Sequence, residues 1–155
     1  VAAGGALEAG ECRPTAAADP YPLAPQPALA TITADELQRR LGAVTLVDAR
    51  GPERYRGDVE PLDPVAGHIP GALNRPFASN LGPDGRFLDA AALRTASTTL
   101  LGERAGGEVI HQCGSGVTAC HNLLAMAAAG LGDGVLYAGS WSEWCRDPAR
   151  PVARG

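Results

Sequence analysis

The feature that most constrains this chain is an apolar strand that runs into a cysteine, a glycine-containing turn and then a helix. The strand is Glu108-Val109-Ile110, the cysteine is Cys113, and the helical pattern ends at Gly130. Such a turn places the cysteine at a helix N-terminus, where unpaired amides and the helix dipole stabilise an anion. A thiolate is such an anion, so the sequence predicts an activated nucleophile at Cys113. The alternative is a small buried side chain at a strand end, which is common for cysteine.

Glycine at positions 114 and 116 gives this turn its conformational freedom. Glycine adopts positive φ without steric cost, so the backbone after Cys113 can direct its amides towards one point. Ser115 and Thr118 add hydroxyl groups beside these amides. The segment therefore predicts an anion-binding loop that begins at the cysteine.

Strand and helix patterns alternate along the chain, which is typical of an α/β fold with a parallel sheet. The first predicted elements are a helix from Thr33 to Leu41, strands at 44–48 and 72–74, and a helix beginning at Asp89. A strand to Gln112, a helix to Gly130 and a strand at 134–137 follow. The last are a short helix beginning with a capping box at Ser140 and a tail from 147 to 155. In a parallel sheet the ligand site lies beyond the carboxyl ends of the strands. The loops after Asp48 and at Cys113 both meet this condition.

Composition excludes several classes of partner. The 155 residues are enough for one domain with a buried core. A net charge of -4 without a run of basic residues argues against nucleic acid. No apolar stretch approaches the roughly 20 residues of a membrane span, so we expect no membrane partner and a cytoplasmic location. All four cysteines are expected to be reduced, and the absence of zinc-type spacing predicts neither metal nor cofactor.

Residues 1–28 are predicted to be a linker and the remnant of a preceding domain. Prolines at 14, 20, 22, 25 and 27 disfavour both helices and sheet ladders in this segment. The chain begins with valine rather than methionine, which indicates a fragment or a processed product. We expect one catalytic domain over residues 29–155.

Over residues 29–155 the chain resembles the rhodanese-like sulfurtransferases, specifically the carboxyl-terminal, catalytic half of tandem-domain thiosulfate or 3-mercaptopyruvate sulfurtransferases. The motifs that carry the resemblance, in the order of the family, are Asp48-Ala49-Arg50, Glu53-Arg54-Tyr55-Arg56-Gly57, Gly67-His68-Ile69-Pro70-Gly71-Ala72, Cys113-Gly114-Ser115-Gly116-Val117-Thr118 and Gly139-Ser140-Trp141-Ser142-Glu143-Trp144. Residues 2–10 are similar to the end of a preceding rhodanese domain. The resemblance implies a rhodanese-like α/β fold, with a central parallel sheet of about five strands and helices on both faces. It also implies an amino-terminal rhodanese-like domain of the same protein as a partner.

The resemblance implies a two-step reaction. The cysteine takes a sulfane sulfur from a small anionic donor, becomes a persulfide, and passes the sulfur to a thiol or to cyanide. Cys113 matches the nucleophile, and Arg54 matches the arginine that binds the anionic end of the donor. The residues that match the loop around the sulfur are Gly114, Ser115, Gly116, Val117 and Thr118.

The loop sequence also favours a donor. Family members that prefer thiosulfate carry cationic residues in this loop, whereas Gly114-Ser115-Gly116 is similar to the mercaptopyruvate type. 3-Mercaptopyruvate is therefore the first choice and thiosulfate the second. The stretch from Glu60 to Pro64 departs from the mercaptopyruvate type, because it holds an acid where many such enzymes place a second arginine.

Other polar and aromatic residues near these motifs are predicted to be structural. Asp48 and Arg50 are expected to form an ion pair at a strand end. The remaining structural predictions are a hydrogen-bonded His68, His111 and His121 pointing away from the loop, a packed Cys120, and Trp141 and Trp144 in the core.

Two rival functions follow from the same nucleophile. A cysteine phosphatase or arsenate reductase needs an arginine six residues after the cysteine, and that position is Ala119. A non-catalytic rhodanese module that binds a partner or relays sulfur is the second alternative. It gains support if most of a preceding domain lies outside this chain.

Overall fold

The computed structural model describes Gly4, residues 9–11 and residues 29–155, so most of the predicted linker and domain remnant lies outside the described residues. The strands are β1 (Thr45–Asp48), β2 (Leu73–Asn74), β3 (Val109–Gln112) and β4 (Val135–Leu136). The α-helices are α1 (Ala34–Arg39), α2 (Pro52–Arg56), α3 (Ala90–Leu101), α4 (Val117–Ala128) and α5 (Ser140–Trp144), and 3-10 turns cover Phe77–Asn80 and Gly102–Arg104. Within the described ranges, no helix combines the length and apolar character that crossing a bilayer requires.

The sheet is parallel throughout, with the strand order β2-β1-β3-β4. Four strands are described where the resemblance predicts about five. The chain at residues 30–32 does pair with Leu136 beyond β4, through a parallel bridge at Thr31. This pairing is a single bridge, so it extends the sheet without forming a fifth strand.

Helices cover both faces of the sheet, as predicted. Successive strand residues point to opposite faces. Leu46 and Ile110 pack into one apolar cluster with side chains of α1 and α5. Val47 and Val109 pack into a second cluster with side chains of α3 and α4. The strands are therefore buried on both sides, which explains their nearly continuous apolar sequences.

Two of the predicted helix N-caps are confirmed, and the third prediction is wrong. The Thr33 hydroxyl accepts a hydrogen bond from the Glu36 amide, 3.3 Å away, at the start of α1. The Asp89 carboxylate accepts a hydrogen bond of 2.8 Å from the Ala92 amide at the start of α3. Ser140, predicted to cap α5, instead lies in the helix with its hydroxyl directed to a different loop, as described below.

The segment from 147 to 155 is not a free tail. Ala153 forms an antiparallel bridge with His68, in which the two residues exchange backbone hydrogen bonds of 2.9 Å. The Trp144 indole N–H donates to the carbonyl of Pro151 at 2.8 Å. The segment thus packs against the loop that follows α2. His68 lies about 85 residues before Ala153 in the sequence, so no local pattern predicts their pairing.

Candidate active site

The two loops named by the sequence emerge side by side. β1 and β3 are neighbours in the sheet, and their last residues, Asp48 and Gln112, are partners in register. The segment 50–63 after β1, called here the arginine loop, and the segment 113–118 after β3, called here the cysteine loop, therefore begin at the same sheet edge. This edge is where parallel α/β sheets place their ligands.

The cysteine loop is held by hydrogen bonds to the start of α5. Cys113 is only 2% exposed. Its amide donates to the Ser140 hydroxyl at 3.1 Å, and its carbonyl accepts from the Trp141 amide at 3.0 Å. The carbonyl of Gly114 accepts from the Ser142 amide at 2.9 Å. Because these bonds fix the backbone on both sides of Cys113, the loop has one defined conformation.

Ser140 adopts an unusual conformation to make this contact. Its φ is 53°, a positive value that no other described non-glycine residue has. Its hydroxyl donates to the carbonyl of Tyr137 at 2.9 Å while it accepts from the Cys113 amide. A positive φ costs a non-glycine residue about 1–2 kcal/mol, so the surrounding contacts hold Ser140 in place.

Several amides of the cysteine loop are available to bind an anion. Among the described residues, the amides of Gly114, Ser115 and Gly116 donate to no backbone carbonyl. Val117 and Thr118 begin α4, where the first amides have no partner within the helix. Gly116 has a φ of 85°, and a Cβ there would lie 2.6 Å from the carbonyl oxygen of Ala138. Only glycine fits this position, as the sequence predicted.

The arginine loop begins with a buried ion pair. Arg50 Nη2 lies 2.6 Å from Asp48 Oδ2, and both side chains are almost fully buried. Arg50 also donates to the carbonyl of Gly67 at 2.8 Å, and its guanidinium lies over the Trp141 ring. The prediction that Asp48 and Arg50 form a structural pair is confirmed. Their contacts anchor the start of the loop, and Arg50 also lines the pocket described below.

Arg54 is held by two carboxylates of the same loop. Its Nη2 lies 2.6 Å from Glu60 Oε1 and 3.3 Å from Asp63 Oδ2, and its Nε donates to Glu60 Oε2 at 3.3 Å. Glu60 also contacts Arg50 Nη1 at 3.4 Å, so it links the two arginines. The five side chains from Asp48 to Asp63 that share these contacts form one charged network.

Glu60 is a carboxylate with a lowered pKa. Burial by itself would raise the pKa of Glu60. The hydrogen bond from Arg54, the bonds from the Leu62 and Asp63 amides, and the charge of Arg54 outweigh burial and bring the pKa below its ordinary value. Glu60 is therefore ionised at neutral pH and fixes the arginine loop.

The two loops enclose a pocket of about 350 Å³. The residues that line it are Arg50, Gly51, Arg54, Leu62, Asp63, Phe77, Cys113, Gly114, Ser115, Val117, Thr118 and Ser142. Every predicted site residue except Gly116 is among them, and Gly116 is buried behind the loop. Long-range folding thus brings Arg54 and Cys113, which are 59 positions apart, to one cavity.

The histidines lie outside this pocket lining. His68 stacks on Tyr55 with ring centroids 3.9 Å apart, and its Nδ1 lies 2.8 Å from the Tyr55 carbonyl oxygen. His111 faces Met126 on the other side of the sheet, where burial lowers its pKa to about 4. His121 stacks on Phe87. These positions agree with the sequence predictions for all three residues.

Among the described cysteines, Cys113, Cys120 and Cys145 are unpaired thiols, and Cys12 lies outside the described residues. Cys120 was predicted to be packed in the core, and this prediction is wrong. It is exposed on α4 with its Sγ 3.4 Å from the carbonyl oxygen of Gly116, because the helix rotation turns its side chain outward. Trp141 and Trp144 are fully buried, as expected of core residues.

Sequence reasoning missed several residues that shape the pocket. Leu62, Asp63, Phe77 and Ser142 line it, and Ser140 positions the Cys113 backbone. The acidic character of the stretch from Glu60 was the one available signal. Ser140 and Ser142 lie in the motif from Gly139 to Trp144, which predicts a short helix but not its contact with Cys113. That proximity arises from the packing of separate segments.

The fold and the pocket define an α/β domain with a buried cysteine at the carboxyl edge of a parallel sheet. The chain matches the family model described as "Rhodanese-like domain" over residues 33–147. It therefore belongs to the rhodanese-like domain family.

Two curated relatives are similar over most of the chain. A probable 3-mercaptopyruvate sulfurtransferase of Pseudomonas aeruginosa is 56% identical over 126 residues, which cover 80% of this chain and 44% of the relative. A putative thiosulfate sulfurtransferase, SseB, of Mycobacterium tuberculosis is 54% identical over 125 residues, covering 81% of this chain and 43% of the relative. The chain spans less than half the length of these relatives. The name of one relative contains 3-mercaptopyruvate and that of the other thiosulfate, so similarity alone does not identify the sulfur donor.

Solved structures share the fold of this chain. The Tum1 protein from Saccharomyces cerevisiae superposes with a TM-score of 0.70 at 26% identity, over 81% of this chain and 46% of that one. The anaerobic ergothioneine biosynthesis enzyme from Chlorobium limicola has the same fold, with a TM-score of 0.72 at 22% identity over 81% of this chain and 32% of that one.

Proposed function

We propose that this chain transfers sulfane sulfur from 3-mercaptopyruvate or thiosulfate, through a persulfide on Cys113, to a thiol or cyanide acceptor. The observation that carries the proposal is the pocket in which Cys113, the unpaired amides of the cysteine loop and Arg54 meet. The names of its curated relatives, which are sulfurtransferases, support it.

In the first step, the Cys113 thiolate attacks the transferable sulfur of the donor. With 3-mercaptopyruvate, the new S–S bond forms as the C–S bond breaks, and the donor's thiol proton moves to the methylene carbon, so pyruvate leaves. With thiosulfate, the donor S–S bond breaks and sulfite leaves with the electron pair. Both routes conserve charge and leave Cys113 as a persulfide anion.

In the second step, the acceptor attacks the outer sulfur of the persulfide. The bond between the two sulfurs breaks, and Cys113 leaves as a thiolate. A thiol acceptor becomes a persulfide, and cyanide becomes thiocyanate. Because the enzyme returns to its initial state, no external oxidant or reductant is needed.

The cysteine loop is suited to stabilise both anionic states. Unpaired amides at a helix N-terminus favour a thiolate and, after transfer, the longer persulfide anion. Ser115 and Thr118 line the pocket, and their hydroxyls can add hydrogen bonds. Arg54, at the opposite wall, is suited to bind the carboxylate or sulfonate end of the donor.

We also propose that an amino-terminal rhodanese-like domain of the same protein accompanies this chain. The share of the relatives that the chain covers, 44% and 43%, supports this arrangement. The cytoplasmic location stays a prediction from the sequence.

Intact-mass measurement tests the proposed reaction. After incubation with either donor and removal of excess reagent, the chain should gain one sulfur atom on Cys113, and cyanide should remove it as thiocyanate. Cys113→Ser should gain none under the same conditions. A wild-type chain that gains no sulfur from either donor contradicts the proposal and favours the non-catalytic module.

A further inference from the structure

We propose that Asp63 makes the pocket favour sulfur donors that carry a single negative charge over dianions. This inference rests on the proposed sulfur transfer. It concerns the anion that the pocket binds, so it can be tested without the chemical step.

The first argument is the occupancy of the Arg54 guanidinium. A guanidinium recognises an anion best when two N–H groups on one edge donate in parallel. In Arg54 the edge formed by Nε and Nη2 already binds both oxygens of Glu60, at 3.3 and 2.6 Å. Asp63 takes a further bond from Nη2 at 3.3 Å. The two-pronged edge is thus occupied by the protein's own carboxylates.

The remaining group, Nη1, faces the cysteine loop. It donates to no acceptor among the described residues, and a Cβ built on Gly114 would lie 3.3 Å from it. An anionic donor therefore meets the Nη1 amino group of Arg54, rather than its Nε–Nη2 edge, together with the loop amides. This arrangement suits one small anionic group, because it offers a single full charge and several partial charges.

The second argument is the charge of the network. Asp48, Glu60 and Asp63 supply three carboxylates, whereas Arg50 and Arg54 supply two guanidiniums. The network thus holds one excess negative charge beside the pocket before any donor binds. A dianion such as thiosulfate experiences about twice the repulsion that a monoanion experiences.

The third argument separates Asp63 from the other acids. Asp48 and Glu60 are absent from the pocket lining, and Glu60 also binds two backbone amides. Asp63 lines the pocket, and Arg54 is its one side-chain partner in the described chain. Its charge acts on nearby groups: burial raises the pKa of Cys145, and the Asp63 carboxylate raises it further. Removing this charge changes the pocket without removing the bonds that hold the loop.

Two substitutions make a matched test. Asp63→Asn removes the charge and keeps an oxygen that can accept from Arg54. Asp58→Asn is the control, because Asp58 is an exposed acid that pairs with Arg56 at the end of α2 and lies outside the pocket. Both change the net charge equally. Each is placed in a Cys113→Ala background, and binding of sulfate as the dianion and pyruvate as the monoanion is titrated at constant ionic strength.

The chain with Asp63 should bind pyruvate more tightly than sulfate. Asp63→Asn should raise the ratio of sulfate to pyruvate affinity by about tenfold, which corresponds to about 1.4 kcal/mol, whereas Asp58→Asn should change it by less than about twofold. An unchanged ratio in Asp63→Asn, an equal change in both variants, or a parent chain that prefers sulfate would overturn the inference. A variant that weakens both anions equally would show that Asp63 only positions Arg54.

The same variant in the wild-type background distinguishes the two proposals. Persulfide formation from thiosulfate, relative to 3-mercaptopyruvate, should rise by about tenfold in Asp63→Asn. If neither donor modifies Cys113 but the binding ratio still shifts, the sulfur transfer fails and the charge selection stands. If both donors modify Cys113 and neither ratio shifts, the charge selection fails alone.

Discussion

The cysteine loop and the arginine loop face the same pocket but are stabilised by different interactions. The cysteine loop contains no Asp, Glu, Lys, Arg or His and is fixed by backbone hydrogen bonds, one serine hydroxyl and a glycine in a positive-φ conformation. The arginine loop is fixed by a network of buried and half-buried charges. The backbone amides and the serine hydroxyl that hold the cysteine loop do not titrate, whereas the carboxylates of the arginine loop do, so we expect only the arginine loop to respond to acid.

The largest effect is expected from a substitution that disrupts the backbone conformation of the cysteine loop. Gly116→Ala forces alanine into a φ of 85° and places its Cβ against the Ala138 carbonyl. We expect a loss of about 3 kcal/mol in the free energy of unfolding and loss of persulfide formation. Urea unfolding and intact mass measure the two effects.

Gly114→Ala is the matched control for this substitution. Its φ is not positive, and the nearest atom to the new Cβ is Arg54 Nη1 at 3.3 Å. The free energy of unfolding should change by less than about 1 kcal/mol. Equal losses in the two variants would mean that the positive φ at Gly116 does not define the loop.

The second-largest effect is expected from a substitution that disrupts the ion pairs of the arginine loop. Glu60→Gln leaves Arg50 and Arg54 without a shared carboxylate in a partly buried site, and should cost about 2 kcal/mol of unfolding free energy. Asp58→Asn disrupts an exposed pair and should cost less than about 0.5 kcal/mol. Comparable losses would argue against a special role for the buried network.

The charges of the arginine loop also predict that the free energy of unfolding depends on pH, which the cysteine loop does not predict. The folded pKa of Glu60 lies below its ordinary value of 4.5, so the unfolded chain binds its proton first. The stabilisation by Glu60 is fully present above that ordinary value and is lost as the pH falls through the folded pKa. In unfolding curves measured across this range, Glu60→Gln should flatten the acid limb. Gly116→Ala should lower stability at every pH without changing the slope, and a changed slope would contradict the comparison.

The smallest effect concerns the hydroxyl that supports the cysteine loop. Ser140→Ala removes the acceptor for the Cys113 amide and should cost about 1 kcal/mol while slowing persulfide formation. Ser140→Gly removes the same acceptor but relieves the positive φ, so it should recover stability without recovering the rate. Equal rates in wild type and Ser140→Gly would show that the hydroxyl does not position Cys113 for the proposed reaction.

Much of the fold was predictable because it is encoded in short segments. The caps at Thr33 and Asp89, the apolar strands and the glycine turn after Cys113 are local patterns, and each is present at or within a few residues of its predicted position. The capping box at Ser140 was misleading, because a long-range bond to Cys113 replaced the local cap.

The parts that could not be predicted depend on contacts between distant segments. The pairing of Ala153 with His68 and the placement of Phe77 in the pocket wall have no signature in the residues around them. The acidic stretch at Glu60 was visible in the sequence. Its bonds to Arg50 and Arg54 required the backbone path of the whole loop.

The sequence alone determined that an α/β domain would present Cys113 at a helix N-terminus, because strand periodicity, glycine conformation and helix patterns act over a few residues. Only the tertiary structure decided the surroundings of that cysteine. It placed Ser140 beneath the Cys113 amide and Arg54 across the pocket, with Asp63 bound to its guanidinium. The physical reason is that hydrogen bonds and ion pairs act over a few ångströms, and only the folded chain brings these residues within that distance.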